Sequence, residues 1–130
     1  MSEPNTLQKG ATGLARAIYE YQKMGFTVAV PLIDGQPYDL VIEKNMEFHS
    51  VQVRYTSQKA FSRGKELNAY NIGLRSVKTN TKCTTTRKRK NGDYDFLFVL
   101  CANDDCYSIP ESKLPTSGTT LGPKYAQYKV

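Results

Sequence analysis

The sequence lacks the features that mark membrane-spanning, secreted and disulfide-stapled proteins. No apolar run approaches the roughly 20 residues that a membrane helix needs. The opening MSEPNTLQKG has neither the basic nor the apolar segment of a secretion signal. The cysteines, Cys83, Cys101 and Cys106, are odd in number and match neither a CxxC nor a zinc-finger spacing. We therefore expect a soluble, intracellular (cytoplasmic) protein with reduced thiols, without a disulfide framework or a zinc site.

Acidic residues are few relative to basic ones. The 130 residues include 18 Lys and Arg against 12 Asp and Glu, which gives a formal net charge of +6. This excess favours a polyanionic partner, because each phosphate that a cation neutralises releases condensed counterions. The length is that of one domain with a modest core, and the chain contains no internal repeat or linker. We therefore expect residues 1–130 to form a single domain.

The first half of the chain has the periodicity of one helix followed by three strands. Apolar residues from Leu7 to Tyr21 recur at steps of three and four, which predicts an amphipathic helix over residues 6–24. Strands are predicted over residues 26–30, 38–44 and 47–56. The turn residues 34–37 favour an antiparallel pairing of the first two strands. One helix and a three-stranded meander, within an α+β fold, are the expected arrangement.

The pattern weakens beyond residue 56. Residues 57–67 are polar with several cations, 69–74 suit a short strand, and 93–101 are a clear apolar strand. A last strand is predicted over 107–110, and the tail after it is predicted as loop with at most one helical turn. Residues 78–91 read as an exposed polar loop or, alternatively, as an arm that tracks phosphates. The cations in this stretch are Lys78, Lys82, Arg87, Lys88, Arg89 and Lys90.

A carboxylate, an amide and a cation mark two neighbouring predicted strands. Asp39 opens the strand YDLVIE, and Gln52 and Arg54 share one face of the strand that contains VQVR. If these strands pair, the side chains converge at one edge of the sheet. The set suits a metal ion held by Asp39, the Gln52 side-chain oxygen and the Val53 backbone carbonyl, with Arg54 beside a bound phosphate. Polar strand ends on a solvent-facing strand are the alternative, and spacing alone does not decide between them.

In their order along the chain, these features resemble the PD-(D/E)XK nuclease fold. The matching features are Gly10-x-x-Gly13 at the start of the helix, a hairpin, Asp39 after Pro37-Tyr38, and Gln52-Val53-Arg54. Within that group the sequence is similar to the small intron-associated (homing) endonucleases, in which Gln replaces the usual acid of the (D/E)XK motif. The resemblance runs through nearly the whole chain. It implies a restriction-endonuclease-like core, a mixed sheet with an N-terminal helix and a meander.

The resemblance also implies metal-dependent cleavage of phosphodiester bonds in double-stranded DNA. It assigns catalysis to Asp39, Gln52 and Arg54, and the binding of Mg²⁺ (or Mn²⁺) to Asp39, Gln52 and Val53. The cations that follow the catalytic strand, Lys59, Arg63 and Lys65, are expected to contact DNA together with the cations of residues 78–90. Because one such site cuts one strand, a homodimer or homotetramer is expected for double-strand cleavage.

Leu14 and Arg54 depart from the family pattern. Leu14 stands where relatives carry a metal-binding Glu on the first helix, and Arg54 occupies the Lys position. Arg54 can grip a phosphate but cannot lose its proton near neutral pH, so it is excluded as a general base. Asp34 and Glu43 are near enough in the chain to replace the missing carboxylate.

The departures leave more than one function open. A working nuclease is one hypothesis, and a nuclease fold that binds DNA or a protein without cutting is the second. An RNA-binding module is a third, since Tyr rings stack on bases. Against it stands the lack of an RNP-like motif in the sequence.

Overall fold

One long helix and a series of short strands make up the chain. A computed structural model describes residues 5–74, 76–79, 84–87 and 92–130, the two short ranges as backbone alone. The elements, in chain order, are α1 (Thr6–Lys23), β1 (Thr27–Ala29), β2 (Leu40–Lys44), β3 (Glu47–Thr56), β4 (Lys59–Ser62), β5 (Lys65–Gly73), β6 (Ser76–Thr79), β7 (Thr84–Arg87), β8 (Phe96–Cys101), β9 (Cys106–Pro110), a 3₁₀ helix (Glu111–Lys113), β10 (Gly118–Leu121) and a second 3₁₀ helix (Pro123–Tyr128).

The helix α1 begins and ends where local sequence signals place it. Asn5 Oδ1 accepts a hydrogen bond from the Gln8 backbone N–H at 2.8 Å, and Gln8 Oε1 accepts one from the Asn5 N–H at 2.8 Å. This reciprocal capping box satisfies backbone donors that the first turn leaves unpaired. At the other end, Gly25 takes φ +96°, a conformation that glycine adopts with little strain. The helix predicted over residues 6–24 is confirmed.

The main sheet is five-stranded, with the order β1-β2-β3-β8-β9. The pairs β1·β2 and β2·β3 are antiparallel, which confirms the predicted meander. Next to it, β3 pairs in parallel with β8, and β8 pairs antiparallel with β9. The sheet is therefore mixed, and the predicted α+β class is confirmed.

Apolar side chains cover both faces of this sheet. On one face, α1 contributes Ala17 and Tyr21 to a cluster with Leu40, Val51 and Phe98. The other face carries a second cluster, built from β5, β8, β9, β10 and the last 3₁₀ helix: Tyr70, Ile72, Leu74, Tyr94, Leu97, Val99, Cys101, Tyr107, Ile109, Leu114, Leu121 and Tyr125. Burial of this apolar area is the main contribution to folding.

Gly13 sets how closely the helix approaches the sheet. A Cβ at this position would lie 3.4 Å from Val53 Cγ1 and 3.8 Å from the Arg54 carbonyl oxygen. Alanine would therefore fit in ordinary van der Waals contact, whereas a side chain larger than alanine would press on β3 or push the helix outward. A small residue at position 13 thus allows the first turns of α1 to lie beside the strand that carries Gln52 and Arg54.

Two of the predictions for the second half of the chain are wrong, and one stretch without a predicted element forms strands. Residues 57–67, described only as polar with several cations, contain β4 and the start of β5, which form an antiparallel hairpin. The loop considered for residues 78–91 is wrong where that stretch is described, because β6 extends into it and pairs antiparallel with the Thr-rich β7, and β-branched threonine favours strands. The tail contains β10, which pairs with β5 and places Leu121 opposite Tyr70. Strand β9 is therefore not the last strand.

The thiols of the described residues are buried and uncharged. Cys101 and Cys106 are free, and they belong to the clusters on opposite faces of the sheet. Burial raises the pKa of Cys101 to about 12 and that of Cys106 to about 11, because a buried thiolate lacks the stabilisation of water. Neither thiol is thus poised as a nucleophile at neutral pH. Cys83 lies outside the described residues, and across those residues we find no helix with the length and apolar character to cross a bilayer.

Candidate active site

Strand pairing brings Asp39 and Gln52 into direct contact. The Asp39 N–H donates to the Val51 carbonyl at 2.8 Å, one position before the first paired residue of β2. This bond turns the Asp39 carboxylate toward β3, where its Oδ2 accepts a hydrogen bond from Gln52 Nε2 at 3.0 Å. The Val53 N–H donates to the same oxygen at 2.8 Å. The carboxylate is therefore held by the strand that carries the amide.

The polar atoms at this edge have the spacing of adjacent metal ligands. Gln52 Nε2 lies 3.0 Å from Asp39 Oδ2 and 3.4 Å from the Val53 carbonyl oxygen. Neighbouring ligands of an octahedral Mg²⁺ with bonds of 2.0–2.1 Å are separated by about 3 Å. A half-turn of the Gln52 amide places its Oε1 where Nε2 now lies. A carboxylate, an amide and a backbone carbonyl would then offer only oxygen atoms, the ligands that Mg²⁺ prefers, so these residues fit the ion.

The carboxylate count at this site is low. Within residues 5–74, 76–79, 84–87 and 92–130, no three His, Cys, Asp or Glu side chains gather in a way that could hold a metal. Mg²⁺ commonly takes only one or two protein carboxylates and fills its other positions with water and phosphate oxygens. Asp39 as sole carboxylate therefore predicts weak binding of the ion in the absence of DNA.

Arg54 lines the same cleft, where no acid of the described residues forms an ion pair with it. The cleft has a volume of about 420 Å³ and lies between the first turns of α1 and the edge of the sheet. The Arg54 Nε is buried and has no hydrogen-bond partner among the described residues. An unpaired buried donor on a permanent cation is costly, and an incoming anion would satisfy it. The residues that line the cleft are Thr6, Leu7, Gly10, Ala11, Leu14, Asp39, Gln52, Val53 and Arg54.

Leu14 lies beside Asp39, where a second carboxylate could contribute to metal binding. It lines this cleft and also an adjoining recess of about 310 Å³, and Asp39 lines both. Of the replacement carboxylates considered above, Asp34 lines that recess with Leu14 and Asp39. Glu43 lies farther along β2, paired with Thr27 and Phe48, and lines neither space. Asp34 is thus the better placed of these two acids.

The predicted DNA-contacting cations lie on different parts of the chain. Lys59 places its Nζ 4.7 Å from the ring centroid of Tyr70, and Arg63 and Lys65 are exposed at the turn between β4 and β5. Lys78 lies in β6 and Arg87 in β7, two strands that are described by their backbone alone. The remaining candidates lie outside the described residues: Lys82, Lys88, Arg89 and Lys90.

Lys9 is a cation beside the cleft that the sequence analysis did not single out. Its Nζ lies 5.8 Å from the ring centroid of Tyr55 on β3. With Arg54, Gln58 and Asn71 it lines a space of about 470 Å³ beside the Asp39 cleft. Helical spacing could have indicated this position in the sequence, because Lys9 precedes Gly13 by four residues and therefore lies on the same face of α1.

This fold and this edge of the sheet define a class of protein, the PD-(D/E)XK endonucleases. The chain belongs to that family, whose model matches residues 4–126. Its structure is similar to that of a bacterial homing endonuclease, I-Ssp6803I, with a TM-score of 0.78 and 25% sequence identity, over 97% of this chain and 89% of the other. No curated protein matches the sequence. The resemblance inferred from the sequence is confirmed.

Proposed function

We propose that the protein is a Mg²⁺- or Mn²⁺-dependent endonuclease that hydrolyses phosphodiester bonds in double-stranded DNA at a particular sequence or structure. The observation that carries the proposal is the contact of Asp39 with Gln52 in a cleft that also contains Arg54, whose buried Nε has no hydrogen-bond partner among the described residues. Membership of the PD-(D/E)XK endonuclease family supports it, as does the similarity to a bacterial homing endonuclease.

The proposed roles follow from the chemistry of each group. Asp39, the Gln52 side-chain oxygen and the Val53 carbonyl would hold the ion, which would supply positive charge at the phosphate and acidify water. Arg54 offers a planar pair of donors to the phosphate oxygens and stabilises the charge that develops in the transition state. Because the guanidinium stays protonated, the proton of the attacking water passes to another acceptor, such as solvent or a phosphate oxygen.

The cationic residues outside the cleft are proposed to bind DNA. Lys59, Arg63 and Lys65 continue from the catalytic strand, and the cations of residues 78–90 would extend the track. We further propose that residues 1–130 act as one domain, and that a homodimer or homotetramer supplies the sites for the two DNA strands.

A DNA-binding protein that no longer cuts is the second candidate. The apolar Leu14 beside Asp39 favours it, as does the lack of a cluster of acidic ligands among the described residues. A weakened site is nevertheless compatible with cleavage. Loss of one preorganised electrostatic group costs about 10²–10³ in rate, whereas enzymes accelerate their reactions by roughly 10⁶–10¹⁷-fold or more.

A metal titration separates these candidates. Supercoiled plasmid and branched DNA are incubated with the protein in EDTA, and then with increasing Mg²⁺ or Mn²⁺. Nicked or linear products that appear only with the metal, and that stop on chelation, are the expected result. Salt-dependent DNA binding without cleavage at any metal concentration would instead establish the binding protein.

Leu14→Glu is expected to strengthen metal binding and raise the cleavage rate at low Mg²⁺ by about 10-fold or more, because it adds a carboxylate beside Asp39. The measurement is the Mg²⁺ concentration for half-maximal cleavage, compared with Leu14→Gln. The Gln variant has the same shape without the charge and should not lower that concentration. Equal behaviour of the two variants would show that position 14 does not reach the ion.

A further inference from the structure

The hairpin formed by β4 and β5 projects from the body of the protein. Its turn is Arg63-Gly64, with φ of 53° and 77°, the left-handed pair of a tight two-residue hairpin turn. Every residue from Phe61 to Asn68 is exposed, whereas Ala60 and Tyr70 at the base are buried. The outer part of the hairpin is therefore a two-stranded ribbon that is open to solvent on both faces.

The base of the ribbon is fastened to the strand that carries the candidate active site. Thr56, the buried last residue of β3, donates its hydroxyl hydrogen to the Asn71 carbonyl on β5. The Asn71 N–H donates to the Gln58 carbonyl at 2.8 Å, which closes the base. Because Thr56 follows Arg54 by two residues, the ribbon has a defined position relative to the proposed reacting phosphate.

Four polar side chains of the ribbon have no polar partner in the part of the chain that the structure describes. Arg63, Lys65, Glu66 and Asn68 make no side-chain hydrogen bond or ion pair with another described residue. Beside them, Phe61 and Leu67 leave 64% and 40% of their surface exposed. The ribbon therefore combines long hydrogen-bond donors, an amide and apolar groups. These are the kinds of side chain that recognise the edges of DNA bases. Arg or Lys pairs with guanine, Asn with adenine, and an apolar group contacts the thymine methyl.

The dimensions of the ribbon match the major groove of DNA. The groove is about 12 Å wide and admits a two-stranded ribbon, whose strands lie about 4.8 Å apart. From Asn68 to Lys65 the exposed strand extends roughly 10 Å, at about 3.3 Å a residue. A ribbon of this length spans about three base-pair steps, at about 3.4 Å a step.

We propose that the β4–β5 hairpin enters the major groove beside the cleaved phosphate and selects the DNA target by reading base edges with Arg63, Lys65 and Asn68. This proposal rests on the proposed nuclease function, and it names the element that gives that function its sequence preference. It assigns these residues base contacts, whereas phosphate contacts alone would position the protein without carrying sequence information.

The test is a selection from a random duplex library. The Asp39→Asn protein, full length and expected not to cut, is compared with the same protein carrying Arg63→Ala, Lys65→Ala and Asn68→Ala. The matched control instead carries Lys23→Ala, Lys113→Ala and Gln127→Ala, which remove the same charge from exposed positions outside the hairpin and the cleft. The parent and the control should enrich one motif. The hairpin variant should lose preference at several positions of it, by about 10-fold for each lost base contact.

Several outcomes would overturn the proposal. They are an unchanged motif in the hairpin variant, no motif in the parent, or a loss of affinity that is equal for every sequence and accompanied by a smaller salt slope. A change of oligomeric state in the hairpin variant alone, seen by light scattering, would identify the ribbon as a subunit contact and would also overturn it. Metal-dependent cleavage by the unmodified protein is assayed separately. The nuclease function can therefore stand where the hairpin proposal fails, and the two failures are distinguishable because one is seen in the selected motif and the other in the cleavage assay.

Discussion

Replacing Asp39 with Asn is expected to lower the rate of DNA cleavage by about 10³-fold or more. Asn preserves the shape of the side chain, and its oxygen can still accept the hydrogen bond that the Val53 N–H donates to Asp39 Oδ2. The change removes the carboxylate that, among the described residues, alone lines the cleft with Gln52 and Arg54. The measurement is the single-turnover rate of plasmid cleavage at saturating Mg²⁺.

Glu43→Gln is the matched control for this change. It removes one negative charge from the same strand, but Glu43 does not line the cleft, so its rate should stay within about threefold of wild type. Binding of the Asp39→Asn variant to uncut DNA should persist or strengthen, because a charge that repels phosphate is lost. Cleavage by Asp39→Asn at the wild-type rate would place the active site elsewhere.

Replacing Arg54 with Ala is expected to slow cleavage by about 10²–10³-fold, the cost of removing one preorganised group that stabilises the transition state. The Arg54 Nε is buried without a hydrogen-bond partner among the described residues, and Arg54 forms no ion pair with any of them, so its truncation breaks no such contact there. The main loss should therefore be in the interaction with the phosphate. The measurement is the single-turnover rate with DNA in excess of its dissociation constant, so that weaker binding is not read as slower chemistry.

Arg54→Lys separates charge from geometry. It keeps the cation but not the planar fork, so it should recover part of the rate lost in Arg54→Ala and not all of it. Lys113→Ala, which removes an exposed cation outside the cleft, should cut at the wild-type rate. If Arg54→Ala cuts as fast as this control, Arg54 has no part in the chemistry.

Local chemistry in the sequence determined the first half of the fold. Cap residues, a glycine stop and apolar spacing place α1, because each acts within a few residues of itself. Turn residues and the alternation of apolar and polar residues predict the meander. The short turn between β2 and β3 makes these two strands pair with each other. The approach of Asp39 to Gln52 is a direct consequence of that pairing, so the core of the candidate site could be predicted from the residues.

The sequence alone determined an α+β chain with one helix, a meander and a carboxylate that meets an amide, because these depend on neighbours in the chain. Only the tertiary structure decided the parallel pairing of β3 with β8 and the pairing of β5 with β10, which join segments some 40 or more residues apart. The β4–β5 ribbon was missed because both of its faces meet solvent, which removes the alternation that reveals a strand. The packing of α1 against β3 decided that Leu14 lines the cleft and that Lys9 lines the space beside it, because contacts between segments distant in the chain set that geometry.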